Sequence, residues 1–178
     1  GRPKSASYPE HSKLASGDWY RFTVPQDGVY KLTYQFLQTL GVPVSGMESD
    51  RINVYGNHAG MLPLSNSPAL PNDLLLNAVE VVDGGDGQFD SNDYILFYAA
   101  GPHNWRYNSN TGRFVHTRNI YSDSASYFIG VDVDQPKRVP SAQVSTADVT
   151  DQVTGFSDHL FTDRDLVNLL KSGRTWYG

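Results

Sequence analysis

The sequence predicts a mostly β protein, an antiparallel, sandwich-like β domain with two or three short helices. Three observations support this prediction. Sixteen glycines and ten prolines supply turns, eleven tyrosines and eight phenylalanines favour strands, and several segments alternate between polar and apolar residues. The 178 residues are enough for one domain with a substantial core.

The first predicted elements are two strands joined by a turn. Residues 18–24 alternate, with an apolar side chain at every second position from Tyr20 to Val24. The Asp27-Gly28 pair is typical of a hairpin turn in which glycine adopts a positive φ. Residues 29–32 would then be the return strand of this hairpin.

Two short helices are predicted by their capping residues. Thr33 can cap the first helix, whose apolar stripe includes Leu37, and Gly41 should end it. The second helix should cover residues 163–172, because Thr162 precedes a leucine stripe that is followed by a glycine.

Further strands are indicated by β-branched and aromatic runs between Gly-, Pro- and Asn-rich loops. The segment from Tyr94 to Tyr98 is apolar without interruption, which predicts a central strand covered on both faces. The predicted strands are residues 51–55, 78–82, 94–99, 112–116 and 126–133.

The organisation predicted from these elements has three parts. Residues 1–16 form a polar N-terminal segment, residues 17–155 a β-rich domain, and residues 156–178 a C-terminal helical segment. Trp176 and Tyr177 would be exposed at the end, so we expect the natural polypeptide to continue into downstream domains.

Composition excludes several classes of function. A net charge of -5 with 14 dispersed basic residues argues against nucleic acid as a partner. No run approaches the roughly twenty apolar residues of a membrane span. The absence of cysteine excludes thiol chemistry from these residues.

An acidic segment is the candidate metal site. Asp83, Asp86, Asp90 and Asp93 lie within eleven residues that also contain three glycines. Crowded carboxylates favour a counter-ion, and part of the spacing matches a calcium-binding loop, although two of the usual carboxylate ligands are missing. The alternative is an acidic loop between strands whose aspartates cap turns. No cofactor other than calcium is indicated.

Other candidate catalytic groups give weak signals. The histidines lack the spacing of a zinc-binding pair, and we expect His116 to be a packed or surface residue. Asp158, His159 and Asp163 are close in sequence but indicate no nucleophile. Residues 101–107 place aromatic rings beside polar groups, as in a sugar-stacking platform or as buried loop anchors. The five histidines are His11, His58, His103, His116 and His159.

Several short motifs together resemble the region ahead of the peptidase domain in type IX secretion sortases, which are cysteine peptidases of the gingipain family. The resemblance extends over nearly the whole chain, including its end at residues 168–178. It rests on Gly17-Asp18-Trp19-Tyr20, Asp27 to Leu32, Ile52 to Asn57, Gly60-Met61-Leu62-Pro63, Gly87 to Tyr98, Gly101-Pro102-His103 and Asn119-Ile120-Tyr121-Ser122.

The resemblance implies a parent enzyme, exported to the outer-membrane surface or periplasm of a Gram-negative bacterium, that removes a sorting signal from cargo and transfers the new end to an anchor. The family's catalytic Cys and His would lie beyond residue 178, so this chain should not be catalytic by itself. Expected partners are the downstream peptidase domain, other type IX secretion proteins or exported cargo. A carbohydrate-binding or adhesion module, with or without calcium, and an independent metal-dependent hydrolase are the alternatives.

Overall fold

The computed structural model describes residues 10–57, 60–63 and 70–142, together with residues 152–155, 158, 160–161, 167, 169 and 171. The chain divides into two compact units, residues 1–139 and residues 140–178. All strands and helices given below lie in the first unit. The predicted helix at 163–172 and both ends of the chain lie largely outside the described residues, and the predicted domain boundaries stay a prediction.

The described residues are mostly β, as predicted. They contain one α-helix, α1 (Tyr34–Leu40), and two 3-10 helices, Lys13–Ala15 and Ser49–Arg51. The strands are β1 (Trp19–Val24), β2 (Gly28–Thr33), β3 (Met47–Glu48), β4 (Ile52–Tyr55), β5 (Leu76–Asn77), β6 (Val79–Val82), β7 (Gln88–Phe89), β8 (Tyr94–Ala99), β9 (Asn104–Asn108), β10 (Arg113–Thr117) and β11 (Ala125–Val131).

These strands form four antiparallel sheets. The four-stranded sheet has the order β1-β11-β4-β5, and the three-stranded sheet has the order β2-β8-β6. Two smaller sheets pair β3 with β7 and β9 with β10. The two larger sheets supply the layers of a sandwich.

Aromatic side chains fill the space between the layers. Phe97 of the three-stranded sheet lies 5.8 Å from Phe22 and 5.4 Å from Tyr127, measured between ring centroids, and the last two belong to the four-stranded sheet. Ile95 and Ile129 are fully buried in the same cluster. Edge-to-face ring contacts of this kind stabilise the core beyond the area that they bury.

The predicted hairpin of the first two strands is wrong. β1 pairs with β11 and β2 pairs with β8, so the two strands belong to different sheets. Gly28 does not adopt a positive φ. Alternation identified both strands correctly, but Phe22 and Leu32 face the core from opposite layers, and alternation carries no information about which strand pairs with which.

The prediction for the strand from Tyr94 to Tyr98 is half correct. β8 is the central strand of its sheet, between β2 and β6. Its burial nevertheless alternates, because Ile95 is 0% exposed and Tyr98 is 63% exposed. Only one face of the strand is covered, and the apolar run reflects a second face that remains open.

Helix α1 follows its prediction closely. The Thr33 hydroxyl accepts a hydrogen bond from the Phe36 backbone N–H at 3.2 Å, and Gly41 ends the helix with a φ of 98°. Leu37 is fully buried. The other five predicted strands also occur, with ends displaced by no more than two residues.

Candidate functional site

The first half of the acidic segment forms turns that its own aspartates cap. The Asp83 carboxylate accepts a hydrogen bond from the Gly85 backbone N–H at 3.0 Å. Asp86 accepts from the Gln88 N–H at 2.9 Å. Gly84, like Gly85, has a positive φ, which glycine adopts without a steric penalty.

The second half behaves in the same way. Asp90 accepts from the Asn92 N–H at 3.1 Å, and Asp93 accepts from the Asp90 N–H at 2.6 Å. Asp93 is the buried member, with 8% exposure, and it follows the short strand β7. Each of the four predicted metal ligands therefore accepts a backbone hydrogen bond within its own loop.

This geometry supports the turn-capping interpretation of the acidic segment. Among the residues that the structure describes, no group of three or more histidine, aspartate or glutamate side chains is arranged to hold a metal ion. Calcium binding by Asp83, Asp86, Asp90 and Asp93 stays a prediction.

An open groove of about 650 Å³ lies beside the acidic segment. Arg138 is half-buried in its lining and donates hydrogen bonds to the carbonyl oxygens of Ser49, at 3.0 Å, and Ile52, at 3.5 Å. Burial lowers the pKa of Arg138, against the opposing effect of Asp50 and Asp83. The carboxylates that line the groove are Glu48, Asp50, Glu80, Asp83 and Asp86.

The carboxylate of Asp83 is held in its ionised form. The nearby Ser49 hydroxyl is the largest cause of its lowered pKa, although that hydroxyl makes no hydrogen bond of ordinary geometry, and the Gly85 N–H and Arg138 add to the effect. A general acid needs a pKa near neutrality. The lowered pKa of Asp83 therefore suits a carboxylate that holds structure or meets a cation better than it suits a general acid.

Two histidines that are distant in sequence come together in the fold. The rings of His103 and His116 lie 6.0 Å apart, and the Trp105 ring lies 4.8 Å from His116. His103 Nδ1 accepts a hydrogen bond from the Asn119 N–H at 3.0 Å. Burial is the main cause of the lowered pKa of His116, which favours its neutral form.

The remaining histidines and the weak acid–base candidates lie partly outside the described residues. His11 is exposed. Asp158 is also exposed, whereas His58, His159 and Asp163 lie outside the described residues. Sequence analysis did not pair His103 with His116. His103 directly precedes β9 and His116 lies in β10, and the antiparallel pairing of these strands brings the two residues together.

Strands β9 and β10 form a separate two-stranded sheet, which we call the hairpin arm (residues 104–117). Tyr107 packs against Phe114 at 5.2 Å between ring centroids. Tyr107 is nevertheless 56% exposed, and Val115 on the opposite face is 47% exposed. A two-stranded hairpin has little stability alone, so large apolar side chains on both faces are typical of an arm that contacts other protein.

The first two residues of the predicted stacking platform at residues 101–107 are packed inside the protein. A Cβ atom on Gly101 would approach the Gln26 and Asp27 backbone to 2.6–2.8 Å. Pro102 is fully buried, and Trp105 contacts His116. Trp105 is nevertheless 38% exposed and Tyr107 is 56% exposed, so a stacking platform and buried loop anchors both stay predictions for these rings.

No helix in the described parts of the chain is long and apolar enough to cross a membrane.

Comparison with known proteins shows a similarity to a solved structure. No family profile matches the chain, and no curated protein is significantly similar to it. The crystal structure of dimeric latent PorU from Porphyromonas gingivalis matches 80% of this chain with 29% sequence identity and a TM-score of 0.53. The chain is similar to a region of PorU. The matched region is 12% of the PorU chain. The similarity therefore supports the predicted family resemblance only as far as a PorU-like region.

Proposed function

We propose that this chain is a non-catalytic docking domain of a PorU-related polypeptide, and that it packs against the downstream peptidase domain. The supporting observation is the similarity to a region that makes up only 12% of PorU. A segment of this relative size works beside other domains of the same protein. The chain has no cysteine, so the nucleophile of a cysteine peptidase would come from elsewhere in that polypeptide.

The hairpin arm is the contact surface in this proposal. Among the strands that the structure describes, these two pair only with each other, so the apolar side chains of the arm lie outside the main core. Tyr107 and Val115 expose about half of their surface. Exposed aromatic residues are enriched among the anchors of protein interfaces.

The setting of this domain follows from the same proposal. The parent protein is a type IX secretion sortase of the gingipain family, exported to the outer-membrane surface or the periplasm. Other secretion proteins and exported cargo are the alternative partners of the arm.

The proposal is tested by calorimetric titration of the chain against the separately produced downstream part of its polypeptide. Saturable binding is expected, and Tyr107→Ser and Val115→Ser should each weaken it about tenfold, the range of a modest interface anchor. Tyr121→Ser is the matched control, because Tyr121 is 70% exposed and lies outside the arm. Absence of binding, or equal effects of all three variants, would contradict the proposal. Glycan binding by the chain alone would favour the adhesion alternative.

A further inference from the structure

Strand β6 lies at one edge of the three-stranded sheet, and the outer side of this strand is only partly covered. On its inner side β6 pairs with β8. On its outer side the Val79 N–H donates to the Lys137 carbonyl oxygen at 3.1 Å, and the Val79 carbonyl oxygen accepts from the Val139 N–H at 2.9 Å. Residues 137–139 therefore run parallel to β6 and cover its edge at Val79.

The backbone of Val81 is open at the same edge. Successive residues of a strand direct their N–H and C=O groups to opposite sides, so Val81 directs both groups to the same side as Val79, away from β8. Among the described residues, none donates to or accepts from the backbone of Val81 on this side. An unpaired strand edge is a template for pairing with another extended chain.

The groove of about 650 Å³ described above runs beside this open edge. Val79 and Val81 of β6 line it on one side, and Arg138 and Val139 of the covering segment also line it. Sites that bind small ligands have volumes of about 300–1,000 Å³. The groove therefore has room for a short extended segment next to Val81.

The groove is strongly acidic. Its lining contains five carboxylates and one guanidinium group, that of Arg138, which gives a formal charge of -4 among the lining residues that the structure describes. The guanidinium group of Arg138 already donates to the carbonyl oxygens of Ser49 and Ile52. The carboxylates thus exceed the positive charge available in the lining, which favours a cationic ligand.

A buried hydroxyl in the lining is a second sign of a missing ligand. Ser49 lines the groove and is 5% exposed. The structure gives its hydroxyl no hydrogen-bond partner of ordinary geometry among the described residues. A buried polar group without a partner costs free energy, and a donor that enters the groove would recover part of that cost.

We propose that this groove binds an extended segment of another polypeptide that is rich in lysine or arginine, and that the segment adds to β6 as a further strand. The backbone of the segment pairs with the N–H and C=O groups of Val81, and its basic side chains meet the carboxylates of the lining. The backbone bonds are few and the ion pairs are partly exposed to solvent. The dissociation constant is therefore expected between roughly 10 µM and 1 mM.

An NMR titration of the ¹⁵N-labelled chain tests this proposal. The probe is a capped synthetic hexapeptide of alternating lysine and valine. Saturable shifts are expected at the amide of Val81 and of its neighbours, with none in the hairpin arm. The same peptide with N-methylated backbone amides keeps its charge but lacks the donors for strand pairing, and it should bind at least about tenfold more weakly. A peptide of alternating glutamate and valine should not bind.

Three variants of the chain locate the charge effect. Glu80→Gln and Asp86→Asn each remove one carboxylate from the groove and should each raise the dissociation constant about two- to fivefold. Asp86→Asn keeps a side-chain oxygen that can accept from the Gln88 N–H, as Asp86 does. Asp123→Asn is the matched control, because Asp123 is exposed and does not line the groove. Circular dichroism confirms that each variant is folded.

Three results would overturn the proposal. The first is the absence of saturable shifts at Val81 with the lysine peptide at up to roughly 1 mM, the weak limit of the expected range. The second is equal affinity of the N-methylated peptide, which would show charge attraction without strand pairing. The third is an equal effect of all three variants. The groove contains no residue of the hairpin arm, so any of these failures would leave the docking proposal standing.

Discussion

The hydroxyl of Tyr127 joins the two layers of the sandwich at one end, and its removal should measure what that connection contributes. Tyr127 belongs to β11 of the four-stranded sheet, and Ala100 directly follows β8 of the three-stranded sheet. The hydroxyl accepts a hydrogen bond from the Ala100 N–H at 2.8 Å and donates one to the Ala100 carbonyl oxygen at 3.0 Å. Burial raises the pKa of Tyr127, so the hydroxyl keeps its proton at neutral pH.

Tyr127→Phe keeps the ring in the core and deletes both hydrogen bonds. A typical intramolecular hydrogen bond contributes about 0.5–1.5 kcal/mol net, so loss of the pair should lower the free energy of unfolding by about 1–3 kcal/mol. The ring contacts with Phe22 and Phe97 are retained. The loss is therefore attributable to the hydroxyl alone.

Urea denaturation monitored by tryptophan fluorescence is the assay. The midpoint should fall while the slope stays the same, because the surface exposed on unfolding is unchanged. Tyr121→Phe removes the same group from a tyrosine that is 70% exposed, and its effect should stay within about 0.5 kcal/mol. A Tyr127→Phe variant as stable as the original protein would refute the inference that this bridge couples the layers.

Three other predictions concern the close approach of Gly101 to the turn after β1, the ion pair between Lys13 and Asp134, and the acidic segment. Gly101→Ala should destabilise the fold by about 1–3 kcal/mol in urea, because its Cβ would meet backbone atoms of Asp27 and the preceding residue; an effect below about 0.5 kcal/mol would contradict the close approach. Asp134 has a lowered pKa, chiefly through its hydrogen bond from Lys13. The contribution of this carboxylate to stability should be complete above its unfolded-state pKa of about 3.9, and it should be lost as the pH falls through the lower pKa of the folded state. Lys13→Met should therefore reduce the loss of stability on acidification. Calcium at millimolar concentration should leave the melting temperature unchanged if the four aspartates only cap turns; a rise that Asp86→Asn abolishes would instead support the calcium site.

Local chemistry in the sequence identified those elements that depend on local interactions. Helix α1 was predicted with its cap and its end because Thr33 and Gly41 act on residues three or four positions away. The strands at 94–99 and 113–117 were likewise found from short apolar or alternating runs. The two-residue strands β3, β5 and β7 are too short to show a period, so the sequence gives no signal for them.

Contacts between segments that are distant in the chain could not be predicted from the sequence. The partners of β1 and β2 depend on which layer each strand joins, and the expected hairpin was wrong for that reason. The sequence also placed Asp83 to Asp93 in a loop but left two interpretations of the carboxylates. The hydrogen bonds from backbone N–H groups favour turn capping, and those bonds depend on φ and ψ values that composition does not specify.

The proposed contact surface on the hairpin arm could not be predicted from the sequence for the same reason. β10 was predicted from its sequence, whereas β9 was assigned to a loop with aromatic rings. Their pairing, and the exposure of Tyr107 on an arm separate from the main sheets, emerge only in three dimensions. A surface formed by two strands with no shared local pattern cannot be recognised before the fold is known.

Hydrogen–deuterium exchange of the chain, alone and with the downstream part of its polypeptide, tests the docking proposal most directly. The proposal predicts slower exchange on binding at residues 104–117, with little change in the core strands β4 and β8, which are already protected. Slower exchange confined to other surfaces, with the arm unchanged, would contradict the proposal that this PorU-like domain docks through its hairpin arm.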